Sequence, residues 1–399
     1  MLVFTFPGQG SQREGAGRPW VDHPSWELVA EVSEVADRDV GALLLDADEL
    51  RATRNSQLVT FCLSLLVLDA IERLGIAPAA CAGHSLGEYS ALVASGALGF
   101  EDGARLVVER GEAMQAASEE QPGTMAAILG LDDDAAEAAC QRAEGEVWVA
   151  NYNAPGQVVI AGATQAVERA GGLAKEAGAR RVMPVPVGGA FHTPLMAPAR
   201  ARLRKALEEA TFCDPEVPVT ANVDARAHTD ASEWPGLLSA QLCSPVRWHQ
   251  TLLALTAEGP GTLVEVGPGG VLTSMAKRTV PEQRLISVAT PDDLDTLVDA
   301  VSGDGPLHEY AMAHAGEHLY MSERVVVSPS TGVFEPSLVG GGNQGHTAAL
   351  DVGSLVGTVG QHEVRTPFAG SLMGHLAFSG ERVVMGQPVA WLRTSGAGR

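Results

Sequence analysis

A serine flanked by glycines is the first candidate for chemistry in this chain. Residues 83–88 read Gly-His-Ser-Leu-Gly-Glu, between a short run of small apolar residues and an alanine-rich segment that favours a helix. A G-x-S-x-G sequence between a strand and a helix is typical of a nucleophile elbow. The first helical N–H groups are unpaired there and can hold a developing oxyanion. Ser85 is therefore a candidate nucleophile, although a glycine-rich turn with a capping serine has the same pattern.

A serine nucleophile needs a base that takes its proton, and the best candidate is His192. It follows a predicted strand in Gly189-Ala-Phe-His192, just before the next helix. The chain has eleven histidines, so position alone does not decide, and a helix-capping or surface histidine is the alternative.

A second glycine-rich loop, residues 7–12 (Pro-Gly-Gln-Gly-Ser-Gln), follows the first predicted strand. Backbone N–H groups in such a loop suit a second oxyanion donor. The loop is not a phosphate-binding P-loop, because no Lys-Ser/Thr pair follows it.

Arg110 is a candidate for binding a substrate carboxylate through its bidentate guanidinium. It lies in a predicted helix between Glu109 and Glu112. The alternative, an ion pair with one of these on a solvated face, is the default for an arginine in this setting.

The elements around these residues alternate over the first ~290 residues in the manner of an α/β fold with a parallel sheet. The predicted strands are Leu2–Phe6, Ala79–Ala82, Pro218–Ala221, Thr262–Val266 and Leu285–Val288. The predicted helices include Ser25–Asp37, Ser56–Leu74, Phe100–Ala117 and Pro194–Ala210.

The order of predicted strands and helices changes between residues 123 and 187. The order βαββαβ there predicts an inserted ferredoxin-like subdomain. Its two middle strands, Val147–Ala150 and Val158–Ala161, are predicted to flank an asparagine-rich turn at Asn151–Gly156.

The C-terminal part of the chain predicts a separate all-β domain over residues 323–395. Residues 328–334 and 366–372 form a near-repeat, which indicates two similar halves and a small flattened barrel. Residues 291–322 are predicted to be a linker with a helix at Pro291–Val301. The candidate catalytic and binding residues named above all lie in residues 1–290.

Composition excludes several functions. The formal net charge is −22, which argues against nucleic acid as a partner, and no apolar run predicts a membrane span. The five cysteines have no metal-binding spacing and, with no signal peptide at the start, indicate reduced thiols and a cytoplasmic location. His308, His314 and His318 lie in the predicted linker. The i, i+4 pair among them could bind a metal, but no cysteine or third close ligand supports it, so a solvated helix is predicted instead.

Six motifs in order give the chain a strong resemblance to malonyl-CoA:acyl-carrier-protein transacylases and the acyltransferase domains of polyketide synthases, over residues 1 to about 290. They begin at Phe6, Gly83, Arg110, Asn153, Gly189 and Glu265. The resemblance implies an α/β-hydrolase-like core with a ferredoxin-like insert.

The resemblance also implies roles for individual residues. These are the nucleophile Ser85, the base His192, the backbone carbonyl of Gln241 that orients the histidine, the oxyanion-hole N–H groups of Gln9 and Leu86, the malonyl-carboxylate partner Arg110, and Gln57 near the acyl group. Phe191 resembles malonyl-selective members, because its ring would crowd an α-methyl group. His84 is expected to shape the elbow.

The implied reaction is ping-pong transfer of malonyl from malonyl-CoA to the phosphopantetheine thiol of acyl carrier protein, in fatty acid or polyketide biosynthesis. Its participants are two substrates, with no bound cofactor. Arg200, Arg202, Arg204 and Lys205 are candidates for docking an acidic carrier protein; the alternative is a solvated helix face balanced by Glu208 and Glu209. Other open functions are transfer of methylmalonyl or another acyl group, hydrolysis, and a non-catalytic scaffold.

Residues 323–392 resemble a biotinyl/lipoyl attachment domain, in which a lysine at a hairpin tip carries the cofactor. The corresponding hairpin is Val356–Val364, and no lysine follows Lys277. An amide link to biotin or lipoate therefore cannot form here. A docking or structural module for an unidentified protein is expected.

Overall fold

The computed structural model describes residues 1–45, 50, 52–259, 261–301, 323–337 and 348–393. The α-helices are α1 (Glu27–Ala36), α2 (Val40–Leu45), α3 (Thr53–Arg73), α4 (Gly87–Ala94), α5 (Phe100–Glu120), α6 (Asp133–Arg142), α7 (Thr164–Glu176), α8 (Ala197–Glu209), α9 (Trp234–Gln241), α10 (Trp248–Leu255), α11 (Val271–Thr279) and α12 (Asp293–Val301).

The strands of the first two sheets are β1 (Leu2–Phe6), β2 (Ala80–Gly83), β3 (Thr124–Leu129), β4 (Val147–Ala154), β5 (Gln157–Gly162), β6 (Arg181–Val185), β7 (Val219–Thr220), β8 (Ala227–His228), β9 (Thr262–Val266) and β10 (Arg284–Val288). Those of the C-terminal region are β11 (Glu323–Val327), β12 (Gly332–Pro336), β13 (Ala348–Leu350), β14 (Leu355–Val359), β15 (His362–Arg365), β16 (Gly370–His375), β17 (Arg382–Val383) and β18 (Pro388–Arg393).

The chain divides into two compact units, residues 1–22, 26–68 and 78–293 in the first, and 23–25, 69–77 and 294–399 in the second.

The first unit is built on a six-stranded sheet in the order β10-β9-β1-β2-β7-β8. β8 runs antiparallel to β7, and the other neighbouring pairs are parallel. Inner strands such as β1 are almost continuously apolar and buried, as expected where helices cover both faces. In such sheets the ligand site lies beyond the carboxyl ends of the strands.

The register of β1 and β2 brings two of the predicted loops to the same edge. Phe6, the last residue of β1, pairs with Gly83, the last residue of β2. The N–H of His84 also donates to the carbonyl of Phe6 over 2.9 Å. The glycine-rich loop after β1 and the elbow after β2 are therefore neighbours.

The long helix α3 is apolar enough and long enough to cross a membrane by composition alone. However, 94% of its apolar window is buried inside the protein. Burial of this kind is typical of the central helix of a globular fold. Gln57 lies near the N-terminal end of α3.

The inserted segment has the predicted order β3-α6-β4-β5-α7-β6, with an antiparallel sheet in the spatial order β4-β5-β3-β6. The predicted turn at Asn151–Gly156 is wrong in extent. β4 continues to Ala154, with register shifts on either side of Asn151. Those shifts let the strand continue while Asn151 also bridges to Val246. Asn151 is therefore a ladder residue, Asn153 lies at the second shift, and the turn is Pro155-Gly156.

The C-terminal unit contains two four-stranded antiparallel sheets, in the orders β11-β18-β16-β13 and β15-β14-β12-β17. Its core is apolar, with Phe334 and Val364 fully buried. The near-repeat has a structural counterpart, because the hydroxyls of Ser328 and Thr366 each donate to the carbonyl two residues on, over 2.6 and 2.8 Å. The hairpin β14–β15 contains the predicted Val356–Val364 and extends one residue beyond it at each end.

Several predicted boundaries differ from the structure. The predicted strand Pro218–Ala221 has only the two residues of β7, and two predicted helices begin with a short 3-10 turn, at Pro24 and Pro194. The helices α2, α9, α10 and α11 were not predicted, because six to nine residues give too few turns for a clear periodicity. The linker helix is α12. The three linker histidines lie outside the described residues.

Candidate active site

Ser85 lies in the turn between β2 and α4 with a φ of +54°, in the left-handed region. A Cβ atom on Gly83 would lie 1.9 Å from backbone atoms of Gly87, and one on Gly87 would lie 2.0 Å from the carbonyl oxygen of Phe6. Only glycine fits at either position. The turn is thus as tight as the elbow pattern predicts, with its strain concentrated on the serine.

Asn222 fixes the shape of this turn and was not predicted. Its side-chain oxygen accepts the N–H of Ser85 over 2.7 Å, and its Nδ2 donates to the carbonyl of Gly83 over 2.6 Å. The residue is completely buried just after β7. Both bonds span more than 130 residues of sequence, which is why no local motif reveals them.

Ser85, His192 and Gln241 form a chain of hydrogen bonds. The hydroxyl of Ser85 lies 2.8 Å from Nε2 of His192, and Nδ1 of that ring lies 2.9 Å from the backbone carbonyl of Gln241. Since a carbonyl only accepts, Nδ1 carries the proton and Nε2 is left to accept the serine proton. The structure therefore brings together the three predicted groups.

The environment of His192 keeps its ring neutral. Burial, and then the positive charge of Arg110, lower the pKa of His192 to about 3. A neutral imidazole that hydrogen-bonds a serine hydroxyl is ready to act as a general base at neutral pH.

Arg110 is completely buried on α5, which rules out the solvated-face alternative. Its Nη2 donates to Ser85 Oγ over 3.1 Å and to Gln241 Oε1 over 2.9 Å. Its Nη1 donates to Gln57 Oε1 over 2.6 Å. The two nearby glutamates are engaged elsewhere, Glu109 with Arg202 and Glu112 with Arg38.

The guanidinium of Arg110 has donor capacity to spare. Its Nε has no hydrogen-bond partner among the described residues, and within them no carboxylate forms an ion pair with it. A buried cation without a bonded anion is costly unless a ligand supplies one. This position beside Ser85 therefore suits an anionic group of a substrate.

The two predicted oxyanion donors lie on adjoining loops. Gly8 approaches the elbow so closely that a Cβ there would lie 2.5 Å from the carbonyl oxygen of His84. Within the described parts of the chain, the backbone N–H groups of Gln9 and Leu86 donate to no protein acceptor. Both are available for an oxyanion on a substrate bound to Ser85.

Two further predicted residues flank the catalytic chain. Phe191 directly precedes His192 and is 5% exposed, so its ring occupies buried space next to the base. His84 is buried, with its Nε2 2.9 Å from Asn153 Oδ1 and its ring 5.5 Å from that of Trp248. These contacts fit the expected structural role of His84 in the elbow.

The predicted basic docking patch on α8 is largely neutralised. Arg202 makes a two-point ion pair with Glu109, and Arg204 pairs with Glu208 over 3.0 Å. Arg200 donates to Ser239. The solvated-face alternative was right about Arg204 and Glu208, but the main partner of the patch comes from α5, which sequence spacing along one helix cannot show.

No group of three or more metal-ligating side chains is assembled in the described residues. With a serine, a neutral histidine and free N–H donors at the carboxyl edge of a parallel sheet, the geometry belongs to the class of serine enzymes that hold an acyl group on the nucleophile.

Comparison with known proteins gives the family. Residues 3–299 match the acyl transferase domain; the chain belongs to this family and is an acyltransferase. It is 40% identical over 307 residues to malonyl CoA-acyl carrier protein transacylase of Bacillus subtilis, covering 75% of this chain and 97% of that protein. The Salmonella typhimurium transacylase is 45% identical over 290 residues, covering 70% and 93%.

Solved structures agree with this assignment. An acyl carrier protein S-malonyltransferase from Vibrio cholerae is similar with a TM-score of 0.71 and 43% identity, covering 74% of this chain and 99% of that one. A malonyl-transacylase in complex with a type II PKS acyl-carrier protein is similar with a TM-score of 0.72 and 40% identity, covering 75% and 99%.

Proposed function

We propose that the chain transfers malonyl from malonyl-CoA to the phosphopantetheine thiol of an acyl carrier protein, through a malonyl ester on Ser85, in fatty acid or polyketide biosynthesis. The observation that carries the proposal is the buried guanidinium of Arg110, which lies beside the nucleophile and forms no ion pair among the described residues. Malonyl thioesters differ from acetyl thioesters by a free carboxylate, and Arg110 can bind that group through paired charged hydrogen bonds.

In the first half-reaction, Ser85 Oγ attacks the thioester carbon as Nε2 of His192 takes its proton. The carbonyl of Gln241 stabilises the protonated ring through Nδ1, and the N–H groups of Gln9 and Leu86 hold the oxyanion. Collapse of this intermediate breaks the carbon–sulfur bond, and the departing CoA thiolate takes the proton from His192.

The second half-reaction reverses these steps with the carrier thiol. His192 takes the thiol proton, the sulfur attacks the malonyl ester, and the proton returns to Ser85 as the ester bond breaks. Throughout, Arg110 and Gln57 hold the distal part of the acyl group, so the reacting carbon stays at the oxyanion hole.

Support for acyl carrier protein as the partner comes from the relatives and not from an unpaired basic surface on α8. The malonyl-transacylase cited above binds an acyl-carrier protein, and we extend that interaction to this chain. Because Arg202 and Arg204 are engaged in ion pairs, Arg200 and Lys205 remain the better candidates on α8 for contacting carrier phosphates or carboxylates.

We also propose that residues 323–393 form a flattened barrel of the biotinyl/lipoyl type that acts as a docking or structural module. The paired antiparallel sheets and the matching turns at Ser328 and Thr366 support this fold. The absence of lysine after Lys277 means that it carries no amide-linked cofactor.

The proposed reaction is tested by mixing the chain with malonyl-CoA and phosphopantetheinylated carrier protein, and following malonyl-carrier formation by mass. Ser85→Ala should abolish transfer. Ser90→Ala is the matched control, since Ser90 is another buried serine, on α4. Transfer that survives Ser85→Ala, or that the wild-type chain does not perform, overturns the proposal.

A further inference from the structure

Glu88 is a buried carboxylate at the centre of the site, and the mechanism above does not use it. It lies in the first turn of α4, three residues after Ser85, and is 1% exposed. Its Oε1 accepts the backbone N–H of Asn222 over 2.6 Å, and its Oε2 accepts Nε2 of the Gln241 side chain. A carboxylate held this far from water needs such donors.

The first of these bonds leads to the nucleophile. Asn222, whose backbone is held by Glu88, uses its own side chain to fix Ser85 N–H and the carbonyl of Gly83. A shift in Asn222 would therefore move the strained turn that carries the serine.

The second bond leads to the base and to the guanidinium. The Gln241 amide is fully engaged: Nε2 donates to Glu88 and to the carbonyl of Ser85, and Oε1 accepts from Arg110. The backbone carbonyl of the same residue orients the base. The one carboxylate thus holds both of the residues that support the reacting groups.

The ionisation of Glu88 matters, because both of its neighbours in this network are donors. A carboxylate accepts from both, whereas protonation turns one of its two accepting oxygens into a donor that faces an N–H group. Burial raises the pKa of Glu88 to about 7. Arg110 on α5 opposes this shift, and Asp224 beyond β7 adds to it; Tyr89 on α4 also faces the carboxylate.

We propose that Glu88 is a positioning residue for acyl transfer, whose carboxylate form fixes Asn222 and Gln241 and so keeps Ser85, His192 and Arg110 in register. This inference rests on the proposed function, because it concerns the rate at which Ser85 is acylated by malonyl-CoA. Misplacement of reacting groups by small distances costs rates of about 10²-fold.

The test is the single-turnover rate of Ser85 malonylation between pH 5 and pH 9, in wild type and in Glu88→Gln. The wild-type rate should fall as the pH drops through about 7, as Glu88 takes up a proton. Burial lowers the pKa of His192, and a limb caused by that ring would remain in Glu88→Gln. Glu88→Gln should be roughly 10²-fold slower at pH 8 and should lack the limb.

Glu265→Gln is the matched control. Glu265 is also 1% exposed and accepts two backbone N–H groups, those of Leu272 and Thr273. Among the described residues it has no hydrogen bond to Asn222 or Gln241. Glu265→Gln should keep the wild-type rate and the wild-type pH profile. Removing a buried carboxylate with a purely structural role should not change how the rate depends on pH.

The inference is overturned if Glu88→Gln keeps the wild-type rate and limb, or if Glu265→Gln reproduces its effect. Should Glu88→Gln not fold, the wild-type profile decides alone: a flat rate between pH 5 and pH 8 contradicts the inference. Failure of the proposed function looks different, because the wild-type chain would then not acquire malonyl on Ser85 at any pH.

Discussion

The two units of this chain differ in what lies inside them. In residues 78–293, the buried side chains of Arg110, His192 and Asn222 each hydrogen-bond to Ser85. In residues 323–393, the buried polar residues among those described are Ser328 and Thr366, and each stabilises a turn. Burial of polar groups costs free energy of folding. In the first unit these buried groups lie at the site where bonds are made and broken.

The contrast teaches that a fold needs the reactive side chains as well as the loop that would present them. In the biotinyl/lipoyl-type barrel that we propose for the C-terminal unit, a lysine at the hairpin tip would be the reactive group. The elbow has its nucleophile, base and free N–H donors, whereas the hairpin β14–β15 has no lysine to acylate. Each prediction below pairs a change in the first unit with a matched change in the second.

The largest effect is expected from loss of the base. His192→Ala should slow malonyl transfer by about 10³-fold, because no other group takes the serine proton. His375→Ala is the counterpart, since its ring also lies near a backbone carbonyl, that of Val356 at 3.2 Å, and it should leave transfer unchanged. Steady-state assays decide; equal losses in the two variants would break the comparison.

Loss of the guanidinium should separate two acyl donors. Arg110→Ala should lower malonyl transfer by about 10²-fold and spare or raise acetyl transfer, because only malonyl has the carboxylate that Arg110 binds. Arg365→Ala removes an arginine that donates to the carbonyl of Gly353 in the other unit and should affect neither donor. An equal loss with malonyl-CoA and acetyl-CoA after Arg110→Ala would refute the assigned role.

A smaller change in selectivity is expected at Phe191. Phe191→Ser should shift the ratio of kcat/KM values for methylmalonyl-CoA and malonyl-CoA by about 10-fold or more towards methylmalonyl, as space opens for the α-methyl group. Phe378→Ser, at a residue 79% exposed in the C-terminal unit, is the control. Competition assays with both thioesters measure the ratio, and an unchanged ratio removes Phe191 from the selectivity argument.

The smallest effect is expected on the paired arginines of α8. Replacing Arg202 and Arg204 by Ala should change the KM for carrier protein by less than about fivefold, since exposed ion pairs contribute about 1 kcal/mol or less. Arg382→Ala, on β17, tests the other unit. A large increase in the KM for carrier protein from Arg382→Ala alone would indicate that the carrier docks on the C-terminal unit. That result would contradict the assignment of carrier binding to the first unit.

The sequence predicted the parts of this site that belong to contiguous motifs. The elbow around Ser85, the segment ending in His192 and the loop carrying Gln9 each have a local pattern. Arg110 was assigned only through the order of all six motifs, because by itself it resembled a surface residue. Its burial depends on the packing of α5 against distant elements, which no short window contains.

The supporting residues could not be predicted in this way. Glu88 is part of the elbow motif, yet its role comes from bonds to Asn222 and Gln241 that span 134 and 153 residues. The pairing of Arg202 with Glu109 spans 93 residues. The main strands and long helices were predicted because their apolar patterns extend over many residues, while the short helices and the bulged β4 depend on tertiary contacts.

The most direct test of the account is intact-mass and peptide-mass analysis of the chain after brief exposure to malonyl-CoA, using protein produced in a host that attaches biotin and lipoate. We predict the mass of one added malonyl group, located on the peptide that contains Ser85, and no modification of residues 323–393. A malonyl group on another residue, or a biotin or lipoate adduct in the C-terminal unit, would contradict the account.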